Sequence, residues 1–143
     1  MNPFRRFWKS APRPDAAQLH PIRAEVLIIE DDGEQRALLY DLLRMQSAIV
    51  TQASNIAGAL QALDGGTKFQ LAFIDLRLPN GQGSEIVRRI KERHRGTHVV
   101  LLSGDPERIL QALEWGPVIV LTKPYSISAI REILNMMRLP VND

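Results

Sequence analysis

No cysteine occurs in the 143 residues, so disulfides and thiolate metal sites are excluded and a reducing compartment, the cytoplasm, is expected. No apolar run approaches the roughly 18 residues of a membrane-spanning helix, and no transmembrane segment is expected. Arg5-Arg6-Phe7-Trp8-Lys9 looks loosely like an export signal, but Ser10-Ala11-Pro12-Arg13-Pro14-Asp15 stands where an apolar stretch belongs, which argues against export. Neither a Walker-type loop nor a G-x-G-x-x-G fingerprint follows the first apolar run.

What is present suits one globular domain: 45% of the residues are hydrophobic and 24% charged. The net charge of +2 is unevenly placed. Residues 1–24 carry Arg5, Arg6, Lys9, Arg13 and Arg23 against Asp15, a balance of +4 that leaves −2 for the rest. The folded part is therefore mildly acidic, and direct nucleic-acid binding is not expected. Residues 1–23 read as a basic, proline-containing flexible tail, although Phe4, Phe7 and Trp8 among its cations suit docking on a partner or an anionic surface. The domain itself is expected over 24–139, with a short C-terminal tail over 140–143.

From Glu25 the pattern changes abruptly. Val26-Leu27-Ile28-Ile29 reads as a buried strand ending in Glu30-Asp31-Asp32, and a helix over about 33–46 should follow, capped by Asp32, with Leu38, Leu39, Leu42 and Leu43 on one face. A weaker strand over 48–53 leads into a helix over about 55–64, with Ile56, Leu60 and Leu63 inward and Gly65-Gly66 as the stop. The third strand, Leu71 to Ile74, is apolar without alternation, as in a strand buried on both faces, and delivers Asp75 into a turn at Pro79-Asn80-Gly81. A helix over about 84–95 places Ile86, Val87 and Ile90 at helical spacing. After a fourth strand over 98–102, Ser103-Gly104-Asp105-Pro106-Glu107 is the strongest helix start in the chain, and that helix should run to about Trp115-Gly116. A fifth strand over 118–122 and a helix over about 126–138 complete five strand–helix units. This series implies a flavodoxin-like, doubly wound (βα)5 fold, with a five-stranded parallel sheet in the order 2-1-3-4-5.

In that order the polar strand ends become neighbours. Glu30-Asp31-Asp32, Asp75, Ser103 and Lys123 follow the first, third, fourth and fifth strands, and ligands of such sheets bind at the carboxyl ends. Carboxylates packed this closely repel one another unless a cation neutralises them, and a hard divalent ion with oxygen ligands, Mg²⁺, suits them. A carboxylate nucleophile ringed by a metal, an ammonium and a hydroxyl matches the charge of a transferring phosphoryl group. No histidine or Ser-His-Asp set falls at these positions to support acyl chemistry.

Over about residues 24–138 the chain resembles the receiver domain of bacterial two-component response regulators. The matching segments are Val26-Leu27-Ile28-Ile29-Glu30-Asp31-Asp32, Phe73-Ile74-Asp75-Leu76-Arg77-Leu78-Pro79-Asn80-Gly81, Val99-Val100-Leu101-Leu102-Ser103-Gly104 and Leu121-Thr122-Lys123-Pro124. The resemblance implies that Asp75 is the phosphoacceptor, taking its phosphoryl group from a sensor histidine kinase or histidine phosphotransfer protein. It implies a Mg²⁺ (or Mn²⁺) site made by Asp31 directly, Glu30 through water, Asp75 and the backbone carbonyl of Arg77. Ser103, the Gly104 amide and Lys123 would hold the phosphoryl group, and a cis peptide before Pro124 is the family's habit. Such a chain is a signalling protein rather than an enzyme, with self-catalysed transfer and slow autodephosphorylation only.

Three positions depart from the family's pattern. Val120 stands where most receivers carry an aromatic that moves on activation. Trp115-Gly116-Pro117 makes a short connection into the fifth strand, with Trp115 read as a packed helix-end side chain. Arg77, two residues past Asp75, overhangs the site and is expected to alter phosphoryl lifetime. Asp32 reads as a helix cap rather than a ligand, and Tyr125 as cover for the last helix. Because only Leu139 to Asp143 follow that helix, output is expected through protein binding on the face of the fourth helix, fifth strand and fifth helix, with a homodimer also allowed. The alternatives are a degenerate receiver acting as a phosphate-independent scaffold and a Mg²⁺-dependent phosphohydrolase, although Glu30-Asp31-Asp32 does not supply the Asp-x-Asp that the latter needs.

Overall fold

The computed structural model describes residues 24–78, 83–116 and 118–136. The expected N-terminal tail, the Pro79-Asn80-Gly81 turn, Pro117 and the C-terminal tail lie outside them. The elements alternate as expected: β1 (Glu25–Ile29), α1 (Gly33–Met45), β2 (Ile49–Ala53), α2 (Ile56–Asp64), β3 (Leu71–Asp75), α3 (Gly83–Arg93), β4 (His98–Ser103), α4 (Pro106–Ala112), β5 (Ile119–Thr122) and α5 (Ile127–Met136). All strand pairs are parallel, and the sheet order is β2-β1-β3-β4-β5. No helix among the described residues is long and apolar enough to cross a membrane.

The sheet separates two cores because successive side chains leave a strand on opposite faces. Leu71 and Phe73 of β3 join Val26, Ile28, Leu39, Leu43, Ile130 and Ile133 under α1 and α5. Ala72 and Ile74 join Leu27, Ile29, Leu63, Ile86, Val87 and Ile90 under α2 and α3. Each fully buried large apolar side chain stabilises the fold by roughly 1.5–3 kcal/mol relative to exposure. Strand β3 is thus buried on both faces, which is what its unbroken apolar run demands.

Helix starts follow their caps. Asp32 Oδ1 accepts the Gln35 amide at 3.0 Å, Asn55 Oδ1 the Gly58 amide at 2.8 Å, and Asp105 Oδ1 the Glu107 amide at 3.0 Å. An Asn55→Ala protein should lose about 1 kcal/mol. Urea unfolding should show this as a lower midpoint at an unchanged slope; an unchanged midpoint would mean that the α2 cap carries no stability.

Two expectations are corrected. Leu38 does not share the inward face of α1: it is 58% exposed, while Leu39 and Leu43 are buried and Leu42 packs half-buried beside them. One residue is about 100° of helix rotation, enough to turn Leu38 off the sheet and over Pro124 and Tyr125, with which it lines a concavity. The fourth helix also does not stay α-helical to Trp115. It ends at Ala112, and Leu113–Trp115 tighten into a 3-10 turn that closes at Gly116, whose φ of 103° suits glycine.

Candidate functional site

The carboxyl ends of β1, β3 and β5 bring three charged side chains together. Glu30, Asp75 and Lys123 each stand an even number of residues from side chains facing the α1/α5 core, so all three lean to the same side of the sheet. Lys123 Nζ lies 3.2 Å from Glu30 Oε1, 3.2 Å from Asp75 Oδ2 and 2.6 Å from Gln35 Oε1. Glu30 and Asp75 are buried, and Lys123 is mostly so. The Arg77 amide donates to Asp75 Oδ1 at 2.8 Å, so both oxygens of that carboxylate have a donor. The Lys123–Pro124 peptide is cis.

Electrostatics divide the two buried acids. Burial pushes the Glu30 carboxyl up to about 8, with Asp75 adding to the rise and Lys123 opposing it. Burial works against the Asp75 charge too, but hydrogen bonds from Glu30 and the Arg77 amide, together with Lys123, outweigh it and hold the Asp75 carboxyl below the ordinary range. Asp75 therefore keeps its negative charge while Glu30 tends to hold a proton that Asp75 can share. The Tyr125 hydroxyl is pushed up by burial and by the two acids, and its half-buried ring packs against the α1/α5 core.

One lysine faces two buried carboxylates, and an exposed one, Asp31, stands beside them. Glu30, Asp31 and Asp75 each offer an oxygen within 4.8 Å of the others. Glu30 Oε2 is buried with no hydrogen-bond partner among the described residues. A buried carboxyl oxygen without a donor resists ionisation, in keeping with the raised Glu30, and a hard cation with oxygen ligands is the group that this donor set fits.

Ser103 sits differently. Asp75 is in register with Leu102, so Ser103 falls one residue out of phase with Asp75, toward the α4 side. Its buried Oγ accepts the Asp105 amide at 3.0 Å and donates to the Asp105 carbonyl at 3.4 Å. Gly104 lies against Lys123: a Cβ there would stand 3.8 Å from the Lys123 Cβ. The Arg77 side chain is exposed, Asp32 is the α1 cap, and Val120 is half-buried in β5. Trp115 is half-buried against the α2/α3 core, as a packed helix-end side chain.

Three site residues escaped sequence reasoning. Gln35 holds Lys123, Arg36 donates to the Glu30 carbonyl at 2.8 Å, and Arg108 donates to the Leu76 carbonyl at 3.0 Å, tying the start of α4 to the loop after Asp75. All lie in or next to the first turn of a helix, and a helical Cα–Cβ bond tilts toward the N-terminus. In a parallel αβ sheet that direction is the site, which was the available signal.

The family model described as the response regulator receiver domain matches residues 26–135. Among curated proteins, the response regulator protein PilR of Pseudomonas aeruginosa is 32% identical over 114 residues, which are 78% of this chain and 25% of PilR. Sporulation initiation phosphotransferase F of Bacillus subtilis is 30% identical, over 76% of this chain and 88% of that protein. Among solved structures, a CheY-like receiver domain from Methylobacillus flagellatus aligns with a TM-score of 0.71 at 25% identity, covering 80% of this chain and 98% of that one.

Proposed function

Because the chain belongs to the response regulator receiver domain family, and so to two-component signalling, we propose that Asp75 is its phosphoacceptor. The observation that carries this is the Asp75 carboxylate itself: buried, held in the charged form, and gripped by Lys123 and the Arg77 amide. A carboxylate oxygen attacks the phosphorus of a phosphohistidine on a kinase or phosphotransfer protein, the nitrogen–phosphorus bond breaks, and the histidine nitrogen keeps the bonding pair. The product is an acyl phosphate on Asp75. Glu30, Asp31, Asp75 and the Arg77 backbone carbonyl would hold Mg²⁺ (or Mn²⁺), which when bound supplies charge neutralisation of the phosphoryl oxygens. Lys123 adds a fixed positive charge from the other side. Ser103 and the Gly104 amide would complete the phosphoryl cradle, and for Ser103 this requires leaving the Asp105 amide.

We assign the domain 24–139 no turnover beyond self-catalysed transfer and slow autodephosphorylation. Its output is an altered surface on α4, β5 and α5, read by a protein partner. Among the described residues, Leu110, Leu113 and Ile127 are large hydrophobics left exposed on α4, the 3-10 turn and α5. The phosphate-independent scaffold gains no support from a site with its acids and lysine all in place.

The test is phosphorylation by acetyl phosphate with and without Mg²⁺, read by intact mass. A second measurement concerns Arg77. Its exposed side chain stands next to the acceptor, and an Arg77→Ala protein should lose its phosphoryl group at a rate about two- to tenfold different from the parent, a barrier change of roughly 0.4–1.4 kcal/mol. An unchanged rate would reduce the side chain to a solvated arginine.

A further inference from the structure

The end of α3 and the turn beyond it, at the opposite end of the sheet from Asp75, concentrate positive charge. Between Arg88 and His98 stand five cations, Arg88, Arg89, Lys91, Arg93 and Arg95, against the single carboxylate of Glu92. From residue 25 onward the chain has thirteen Lys and Arg against fifteen Asp and Glu, so outside that window eight cations face fourteen acids. The charge is segregated rather than interspersed. Arg89 is engaged by Asp64 at 3.0 Å, while Arg88, Arg93 and Arg95 are exposed.

Two concavities of about 310 and 360 Å³ adjoin here and share Lys91 and Arg95 in their walls. One lies between α3 and the 3-10 turn and includes Arg88 and Trp115. The other continues to where β4 and β5 begin and includes Val118 and Ile119. Lys91 crosses the junction above Gly116, where a Cβ would meet its Nζ at 3.5 Å. Strand β5 is the sheet edge, paired only with β4 among the described residues, so its outer backbone groups can accept an extended chain.

We propose that this trough binds an extended acidic segment of a partner protein, with its carboxylates on the exposed Arg88 and Arg95 and its apolar side chains on Trp115, Val118 and Ile119. The elongated shape suits a polypeptide better than a compact ligand. The alternation of cations with aliphatic and indole surface separates it from a nucleic-acid site, because a phosphate backbone has no aliphatic side chains to cover Val118 and Ile119. Glu92 on the rim also opposes a dense polyanion. Along β4, His98 in the trough wall stands four residues before Leu102, the register partner of Asp75, a rise of roughly 13 Å, so this partner leaves the carboxyl end of the sheet open to a phosphodonor. One element joins the two ends: α4 begins beside Ser103 at the site, and the 3-10 turn that follows it carries Trp115 into the trough.

The experiment is fluorescence anisotropy of a short fluorescein-labelled peptide of alternating Glu and Leu, titrated with the full chain. Saturable binding is expected, weakening with salt, and weakening about tenfold or more in an Arg88→Glu/Arg95→Glu protein. An Arg5→Glu/Arg6→Glu protein, reversed in the basic N-terminal segment instead, should bind as the parent does. Circular dichroism and the unfolding midpoint confirm that the reversed proteins fold, as the exposure of Arg88 and Arg95 allows for the trough variant. Absence of saturable binding overturns the proposal, as does binding that is lost with Arg5 and Arg6 and kept with Arg88 and Arg95. A single-stranded oligonucleotide that binds where the peptide does not, with the same sensitivity to Arg88 and Arg95, would assign the trough to nucleic acid.

Discussion

An Asp75→Asn protein is expected to fold and to gain no phosphoryl group from acetyl phosphate, while the parent gains one in Mg²⁺ and none in excess chelator. Intact-mass measurement reads all three conditions. The substitution keeps the side chain's shape and leaves an oxygen for the Arg77 amide, which sits 2.8 Å away in the parent, so the loss is chemical rather than structural. An amide oxygen carries neither the charge nor the nucleophilicity that attack on phosphorus needs. Stability should move the other way or not at all. In the absence of metal, the Asp75 charge adds to the burial that keeps Glu30 from ionising beside Lys123, and an asparagine removes that contribution. A variant that still gains the adduct would move the acceptor to another carboxylate, with Asp31 the first to examine. A parent that gains nothing, even from a phosphohistidine donor, would return the scaffold reading to the front.

Glu30 and Asp75 were legible because each follows an apolar run directly, and Lys123 because it stands one threonine past another, and the strand order places those runs side by side. Periodicity carries such information well when a strand is buried on both faces, as Leu71 to Ile74 are. What it cannot carry is phase between strands. Ser103 lies one residue past the partner of Asp75, and that offset alone decides whether its hydroxyl faces the acids or the Asp105 amide. Leu38 shows the same limit in a helix, since four leucines in six positions cannot all face the sheet, and which one is left out depends on how α1 meets Pro124 and Tyr125. The shift to a 3-10 turn after Ala112 has no marker beyond Gly116. Gln35, Arg36 and Arg108 look like ordinary surface residues until the helix starts are placed over the strand ends.

Replacing Lys123 by Met should separate the lysine's two roles. Methionine keeps the length and the apolar stem and removes the charge, so Glu30 and Asp75 lose the ammonium 3.2 Å from each. Breaking a buried pair by removing one partner costs about 3–5 kcal/mol, and here the cost should fall toward the lower end or below it at neutral pH, because Glu30 already holds a proton there and only Asp75 loses a counter-charge. The pH dependence follows from that proton. Glu30 titrates near 4.5 when unfolded and near 8 when folded, so between those values the folded state holds a proton that the unfolded chain has released, and stability falls as pH rises through the window. Without Lys123 to favour the charged form the fall should be steeper, and the deficit of the variant should be larger at pH 8 than at pH 6 when urea unfolding is followed in chelator. Mg²⁺ should recover much of the lost stability, since a divalent cation can neutralise the same oxygens. It should not recover phosphoryl transfer, for which the loss of a fixed charge on the developing phosphoryl oxygens costs about 10²–10³-fold in rate. A variant as stable as the parent at both pH values would mean that Lys123 contributes nothing to holding the buried acids, and full-rate transfer would remove it from the phosphoryl site.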